Sequence, residues 1–478
     1  MKLAAVKESS SGPAELSPIE RLEALCDSGS LRLIRTGVER DADKKTPGDG
    51  VVAGAGSVDG RQVFCYAQDA AFMGGSLGEA QADTIVRVLR MAGRAGGPVV
   101  AFVESAGARM DEGTAALAGY GRIFRENVAL SKQVPQITVI TGTSAGGGSY
   151  SPALTDCIIM TERSSMFLTG PGVVKEVMGE DVSKEDLGGP RVHSANGVCQ
   201  LVAEDDSAAV ELTRDLLSYL PQRTTESATG APLEPHRDPD PSRAGDPSAS
   251  VPEEARKVYD VRAVIRCIAD GSRMLELNAR WARNMVTAFG RIDGRPVGFV
   301  CNQPHHLGGV IDVAASEKAA RFVRTCDAYG IPLVVLVDTP GFLPGIRQEA
   351  AGVIRHGAGL LRAFAAAKVP KITLVLRKAF GGGYITMNSK DLGADLVLAW
   401  PNAEIGVVGP SQAVGFVNRK EIADAEDPVA ERARLATDYA ERHVVAAVAA
   451  RTGSVDELVE PAETRDRLAW ALAALEIS

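Results

Sequence analysis

The chain contains one stretch twice. "VPQITVITGTSAGGGSYSPALTD" begins at Val134 and "VPKITLVLRKAFGGGYITMNSKD" begins at Val369, 235 positions later. That offset sets Pro135 against Pro370, Thr138 against Thr373, Gly146-Gly147-Gly148 against Gly381-Gly382-Gly383, and Asp156 against Asp391. Upstream, "GPVVAFVESAGAR" matches "IPLVVLVDTPGFL" at an offset of 234, with Pro98 against Pro332 and Gly107 against Gly341. Further on, "FLTGPGVV" and "IGVVGPSQAV" form a looser third pair. So long a period excludes a solenoid, whose repeats run to about 50 residues. The chain therefore reads as a duplicated domain, each copy long enough to bury its own core.

Between the copies lies "PQRTTESATGAPLEPHRDPDPSRAGDPSASVPEE", residues 221–254, rich in Pro, Ser, Asp and Gly and without a periodic apolar face. It reads as a linker. The expected domains are then 18–220 and 255–478, preceded by a polar tail over residues 1–17. Within each copy, short apolar strands (Val99 to Val103, Ile137 to Ile140, Cys157 to Met160) alternate with helical patterns such as "EGTAALAGYGRIFRENVALSKQ" and "QEAAGVIRHGAGLLRAFAAAK". This alternation predicts an α/β fold with glycine turns at the carboxyl ends of strands, where α/β sites usually lie.

Composition narrows the function. A 478-residue chain with 45% hydrophobic and 24% charged residues describes a soluble globular protein. Its net charge of −9 argues against nucleic acid as a partner. The seven cysteines contain no C-x-x-C pair, so neither a zinc ribbon nor a redox motif is signalled, and they read as reduced thiols. No signal pattern and no membrane-length apolar run is found, which predicts a cytoplasmic location with no membrane partner. The pair His305-His306 reads as a solvated loop, and no metal site is expected.

The first glycine triplet lies in "GTSAG", a formal match to the nucleophile elbow G-x-S-x-G, which would make Ser144 a nucleophile. The duplication argues otherwise, because Ala379 stands opposite Ser144 while all three glycines are kept. None of the six histidines stands in a recognisable triad context. Glycines at a strand end let backbone N–H groups approach a ligand closely, which is the geometry of an oxyanion hole. Two such turns predict two oxyanion holes.

Longer motifs then carry a resemblance. "GGSLGEAQADTIVRVLRMA", "SAGARMDEG", "MFLTGPGVVKEVMGEDVSKEDLGG", "ASEKAARFVRTCDAYGIPLVVLVDTPGFLPG" and "RKAFGGGYITMNSKDLGADLVLAWPNAEIGVVG", with the duplicated stretch, resemble the carboxyltransferase (β) subunit of biotin-dependent acyl-CoA carboxylases. The resemblance covers nearly the whole chain outside tail and linker. It implies two duplicated crotonase-like domains, each a spiral of ββα units, assembled as a homo-hexamer with sites between the first domain of one protomer and the second domain of another. It also implies two oxyanions, the enolate of an acyl-CoA thioester and the ureido oxygen of biotin.

Carried over residue by residue, the resemblance gives Gly146 and Gly147 the thioester oxygen and Gly382 and Gly383 the biotin carbonyl. Ala145, Gly148 and Gly381 would flank these groups. Gly383 departs from the family, which commonly has alanine there. Ile385 stands where many propionyl-preferring relatives carry aspartate, which points to acetyl-CoA and malonyl-CoA first. Propionyl-CoA carboxylation and acyl-CoA decarboxylation are the alternatives. Arg109, with Arg122 and Arg125, is the expected contact to coenzyme A phosphates. The chain has neither a Walker loop nor the M-K-M-type tripeptide that receives biotin, so the resemblance implies a separate biotin carboxylase/biotin carboxyl carrier (α) subunit.

Overall fold

A computed structural model describes residues 15–38, 49–221, 245–254 and 257–475. These divide into two compact units, the first reaching Ser218 and the second taking Tyr219–Pro221 and everything from residue 245 onward. Most of the expected tail and linker lies outside the described residues. The last part of the linker stretch holds a 3-10 turn, Pro247–Ser250, capped by Asp246. No helix among the described residues is long and apolar enough to cross a membrane.

The first unit is built on an eight-stranded sheet: β1 (Arg32–Leu33), β2 (Val51–Val58), β3 (Arg61–Gln68), β4 (Val99–Ser105), β5 (Gln136–Ala145), β6 (Cys157–Thr161), β7 (Ser165–Phe167) and β8 (Leu201–Ala203). The order is β1-β2-β3-β4-β5-β6-β8, and β7 pairs with β5. Antiparallel pairing holds β1 to β3, and parallel pairing runs from β3 onward. The β2–β3 hairpin turns through Asp59 and Gly60, both left-handed at φ 49° and 76°, a type I′ signature. All of β4, "VVAFVES", is buried, as befits a parallel strand covered on both faces. The helices Glu79–Ala95 and Thr114–Leu130 help cover it, with Leu89 and Ile123 in the same core as Val99, Ala101 and Val103.

The second unit repeats this plan with β9 (Met274–Leu277), β10 (Met285–Ile292), β11 (Arg295–Asn302), β12 (Leu333–Thr339), β13 (Lys371–Phe380), β14 (Leu396–Ala399), β15 (Glu404–Gly406) and β16 (Glu457–Leu458). Its order is β16-β14-β13-β12-β11-β10-β9, with β15 on β13. The β10–β11 hairpin again turns on Asp-Gly, at φ 53° and 76°. The α/β expectation holds in both units.

Two local departures have simple causes. The strand expected over Ile137 to Ile140 runs on to Ala145, because β7 pairs with Thr143, Ser144 and Ala145 and keeps that small-residue stretch extended. The helical pattern of the second unit splits into Ile346–Ala350 and Val353–Ala366, because Gly352 adopts φ 80° between them. A third feature was not expected. At the end of β4, buried Glu104 is bonded by Arg21 (2.7 Å), which also holds Asp206 (2.8 Å). At the matching end of β12, buried Asp338 is bonded by Arg377 (3.1 Å), whose guanidinium also donates to the carbonyls of Pro252, Glu254 and Lys257.

Candidate active site

The two glycine turns follow β5 and β13, ten residues each. Gly146 and Gly381 open them at φ 57° and 56°, conformations that an L side chain rarely adopts. The helices Gly147–Ala153 and Gly381–Thr386 follow. The three-residue strands β7 and β15 brace both turns through Ala145↔Phe167 and Phe380↔Gly406.

Hydrogen bonds divide the expected donor pair of the first turn. Gly146 N–H donates to Phe167 O (3.1 Å), so it fastens the turn to β7. The Tyr120 phenol lies beside Gly148. Gly147 N–H is left for a ligand. The repeat sets Gly382, which is exposed, opposite Gly147, and sets Gly383 opposite Gly148. Gly383 is buried, and a Cβ on it would lie 2.8 Å from Gly341 Cα. This close approach of backbone gives a local reason for glycine where the family commonly has alanine. Ala145 and Gly381 lie in or beside the turns as expected, while buried Gly148 is turned into the support.

A second candidate donor in each unit is a residue that the sequence reading did not single out, on the loop that carries Gly107 or Gly341. Leu77 bridges Ala108 in parallel fashion: Leu77 N–H donates to Gly107 O (2.8 Å) and Arg109 N–H donates to Leu77 O (2.9 Å). Such a bridge turns the N–H of Ala108 itself away from Leu77. In the second unit Ile311 bridges Phe342 in the same way, through Gly341 O (2.9 Å) and Leu343 N–H (2.8 Å). Each loop lies against its turn, since a Cβ on Gly148 would sit 3.1 Å from Ser105 Cβ, and one on Gly341 would sit 3.7 Å from Phe380 O. The signal was present in the 234-residue offset that pairs Gly107 with Gly341, because Ala108 and Phe342 directly follow them.

Other expectations are corrected. Arg109 is only 1% exposed, and its guanidinium is taken up by Asp49 (2.5 Å), Glu112 (2.8 Å) and Ser76 O (2.9 Å), above the Phe72 ring. These partners hold the guanidinium within the fold. Arg122 is paired with Asp83 (3.0 Å) and Arg125 with Glu126 (3.0 Å). Ser144 is fully buried, and its hydroxyl has no hydrogen-bond partner. It lies behind the turn, 3.0 Å from where a Cβ on Gly148 would be, in no position to attack a substrate. Ile385 is 49% exposed on the helix after the second turn, where a ligand can touch it.

The surroundings of the turns differ in charge. Behind the first, the hydroxyls of Ser165 and Thr143 bond each other (3.3 Å). At the matching strand positions of the second unit stand Glu404 and Lys378. Burial pushes the Lys378 ammonium down and the Glu404 carboxyl up, each effect opposed by attraction to the other's charge.

Residues 13–477 match the carboxyl transferase domain family. The chain belongs to that family. It is 48% identical over 460 residues to the methylmalonyl-CoA carboxyltransferase 12S subunit of Propionibacterium freudenreichii subsp. shermanii, covering 95% of this chain and 87% of that one. It is 46% identical over 484 residues to a biotin-dependent acetyl-/propionyl-coenzyme A carboxylase beta5 subunit of Mycobacterium tuberculosis, covering 97% and 87%. A solved transcarboxylase 12S structure, a hexamer with methylmalonyl-CoA and methylmalonic acid bound, superposes with a TM-score of 0.91 at 47% identity, over 97% of this chain and 90% of that one. The carboxyltransferase is thus an enzyme of the acyl-CoA carboxylase type, and the duplicated α/β units are crotonase-like.

Proposed function

We propose that this carboxyltransferase moves a carboxyl group between biotin on a separate carrier subunit and the α-carbon of a short acyl-CoA, with propionyl-CoA and methylmalonyl-CoA as the preferred pair. The paired glycine turns carry this reading. Each presents backbone N–H groups at a strand end without a side chain in front of them, which suits an oxygen that gains negative charge. In the first unit, Gly147 N–H and Ala108 N–H would hold the thioester oxygen, so that charge moving onto it as the α-proton passes to the ureido nitrogen freed of its carboxyl group is met by fixed donors. In the second, Gly382 N–H and Phe342 N–H would hold the ureido oxygen. The turn suits the cofactor, because Gly382 is exposed and carries no side chain to screen its amide. Biotin, when bound, supplies the carboxyl group on its ureido nitrogen.

No acid–base side chain is required beside either turn. The residues after the glycines are Ser149, Tyr150 and Ser151 in one unit and Tyr384, Ile385 and Thr386 in the other, none of them acidic. Placing propionyl-CoA ahead of acetyl-CoA reverses the preference drawn from Ile385. The names of the relatives support the change: one acts on methylmalonyl-CoA, and the other is named for both acetyl- and propionyl-coenzyme A. A half-exposed isoleucine offers apolar contact to either chain. One methylene in an apolar pocket is worth about 1–3 kcal/mol, so both substrates are expected to turn over at different rates. A homo-hexamer, as in the transcarboxylase structure, is the proposed assembly.

The test is kcat/KM for acetyl-, propionyl- and butyryl-CoA with a biotinylated carrier, biotin carboxylase, ATP and bicarbonate. Propionyl-CoA is expected to lead, and Ile385→Asp to change the propionyl-to-acetyl ratio by about tenfold. Absence of carboxylation of every acyl-CoA with a competent carrier would overturn the reading.

A further inference from the structure

We propose that Tyr120 is a positioning residue for the acyl-CoA side of the reaction, tying together the two backbone segments that present Gly147 N–H and Ala108 N–H. The proposal rests on the carboxyltransferase reading of the first turn. Tyr120 belongs to the helix Thr114–Leu130 and is 6% exposed. Its ring lies directly behind the turn, where a Cβ on Gly147 would come within 2.8 Å of Cδ2 and Cε2. Its phenol oxygen lies beside Gly148, the residue after the free donor. The same oxygen shares a hydrogen bond with Ser105 Oγ (3.2 Å), and Ser105 Oγ in turn accepts Gly107 N–H (3.3 Å), the residue before Ala108.

Tyr120 therefore joins the glycine turn to the loop after β4, packing its ring on the turn and bonding its phenol to Ser105 on the loop side. Burial raises the Tyr120 pKa, so at neutral pH the phenol keeps its proton and can donate to Ser105. Among the described residues, the second unit has no such tie. Thr339 Oγ1 bonds only within its own loop, to Gly341 N–H (3.2 Å) and Gly341 O (3.3 Å), and the space behind Gly382 is taken by the Phe342 ring. Loop and turn there meet by direct contact of Gly341 with the Gly383 backbone. The polar tie is thus specific to the unit in which the thioester oxygen gains charge.

The consequence concerns the transition state. Donors held at fixed separation stabilise an enolate more than a ground-state thioester, so loosening them lowers kcat and leaves KM nearly untouched. Tyr120→Phe keeps the ring and removes the tie. Transfer of the carboxyl group from methylmalonyl-CoA to free biotin, measured on this chain alone, is the assay. For Tyr120→Phe, kcat is expected to fall about ten- to hundredfold, with KM for methylmalonyl-CoA within about twofold. Ser105→Ala breaks the same tie from its other end, so it should lower kcat in parallel, and the double variant should be no worse than the poorer single one. Wild-type kcat in both variants, or losses that multiply in the double, would overturn the proposal even where wild type is active. If wild type transfers nothing, the carboxyltransferase reading fails and this inference falls with it. If Tyr120→Phe does not fold, Ser105→Ala decides alone: an unchanged kcat sinks the tie, and a selective fall in kcat sustains it.

Discussion

Gly146 and Gly381 adopt the same left-handed backbone, each at the end of a ten-residue strand and each braced by a strand of three residues. What stands behind them differs. The first turn rests on hydroxyls: Ser105, Tyr120, Ser144, and beyond them Thr143 and Ser165. The second rests on Phe342, Ala379 and the backbone of Gly341, with the charged pair Lys378 and Glu404 at the positions of Thr143 and Ser165. Room for Phe342 comes from the helix that covers it, where Gly357 has no side chain and a Cβ would be 3.1 Å from the ring. Ala108 occupies the matching loop position in the first unit, and there the aromatic ring comes from the helix as Tyr120. The duplication has kept backbone conformation and exchanged the side chains that enforce it. Support is therefore the part of each unit free to be adjusted to its own ligand.

The largest effect expected from this contrast concerns the clamps at the ends of β4 and β12. Arg21→Ala leaves the buried Glu104 without its ion-pair partner, while Asp206 keeps Arg163 (3.0 Å), and should lower unfolding free energy by about 3 kcal/mol in urea titrations. A loss below about 1 kcal/mol would show that these carboxylates are satisfied without it. The turns themselves give a sharper asymmetry. Gly147→Ala must displace the Tyr120 ring, so about 1–3 kcal/mol of stability and about a hundredfold in kcat should be lost. Gly382→Ala meets Phe342 at ordinary contact distance, so its melting temperature should equal wild type while transfer to biotin drops. Equal destabilisation by the two alanines would erase the difference in support. The smallest effect is Ser144→Ala, which copies Ala379 and removes a buried hydroxyl without a partner. Activity should stay within about twofold and stability should rise by up to about 1 kcal/mol; abolished activity would instead revive the serine nucleophile.

Much of this was legible in the sequence. Strand patterning is local, so the apolar runs before Glu104 and Asp338, and the glycines after β5 and β13, located strands of both sheets and both turns. The partnership of Arg109 was not legible. An arginine near a glycine loop looks available for phosphate until the fold brings Asp49, 60 residues away, against its guanidinium. Nor could the sequence say that Gly146 donates to Phe167 O, since the brace β7 is only three residues long and its pairing is set by tertiary structure. Ala108 and Phe342 share no side-chain chemistry, so their common feature, a backbone N–H turned away from a parallel bridge, had no letter to mark it.

Gly147 stands at the first position of the helix Gly147–Ala153. A donor that belongs to the main chain is written again by every codon except those for proline, and the first turn of a helix is a place where proline otherwise fits. Mutation can crowd this amide or shift it, but only proline can delete it. Under the proposed function this donor is thus nearly immune to the genetic code at its own position, and its placement depends on residues such as Tyr120 that never touch the chemistry.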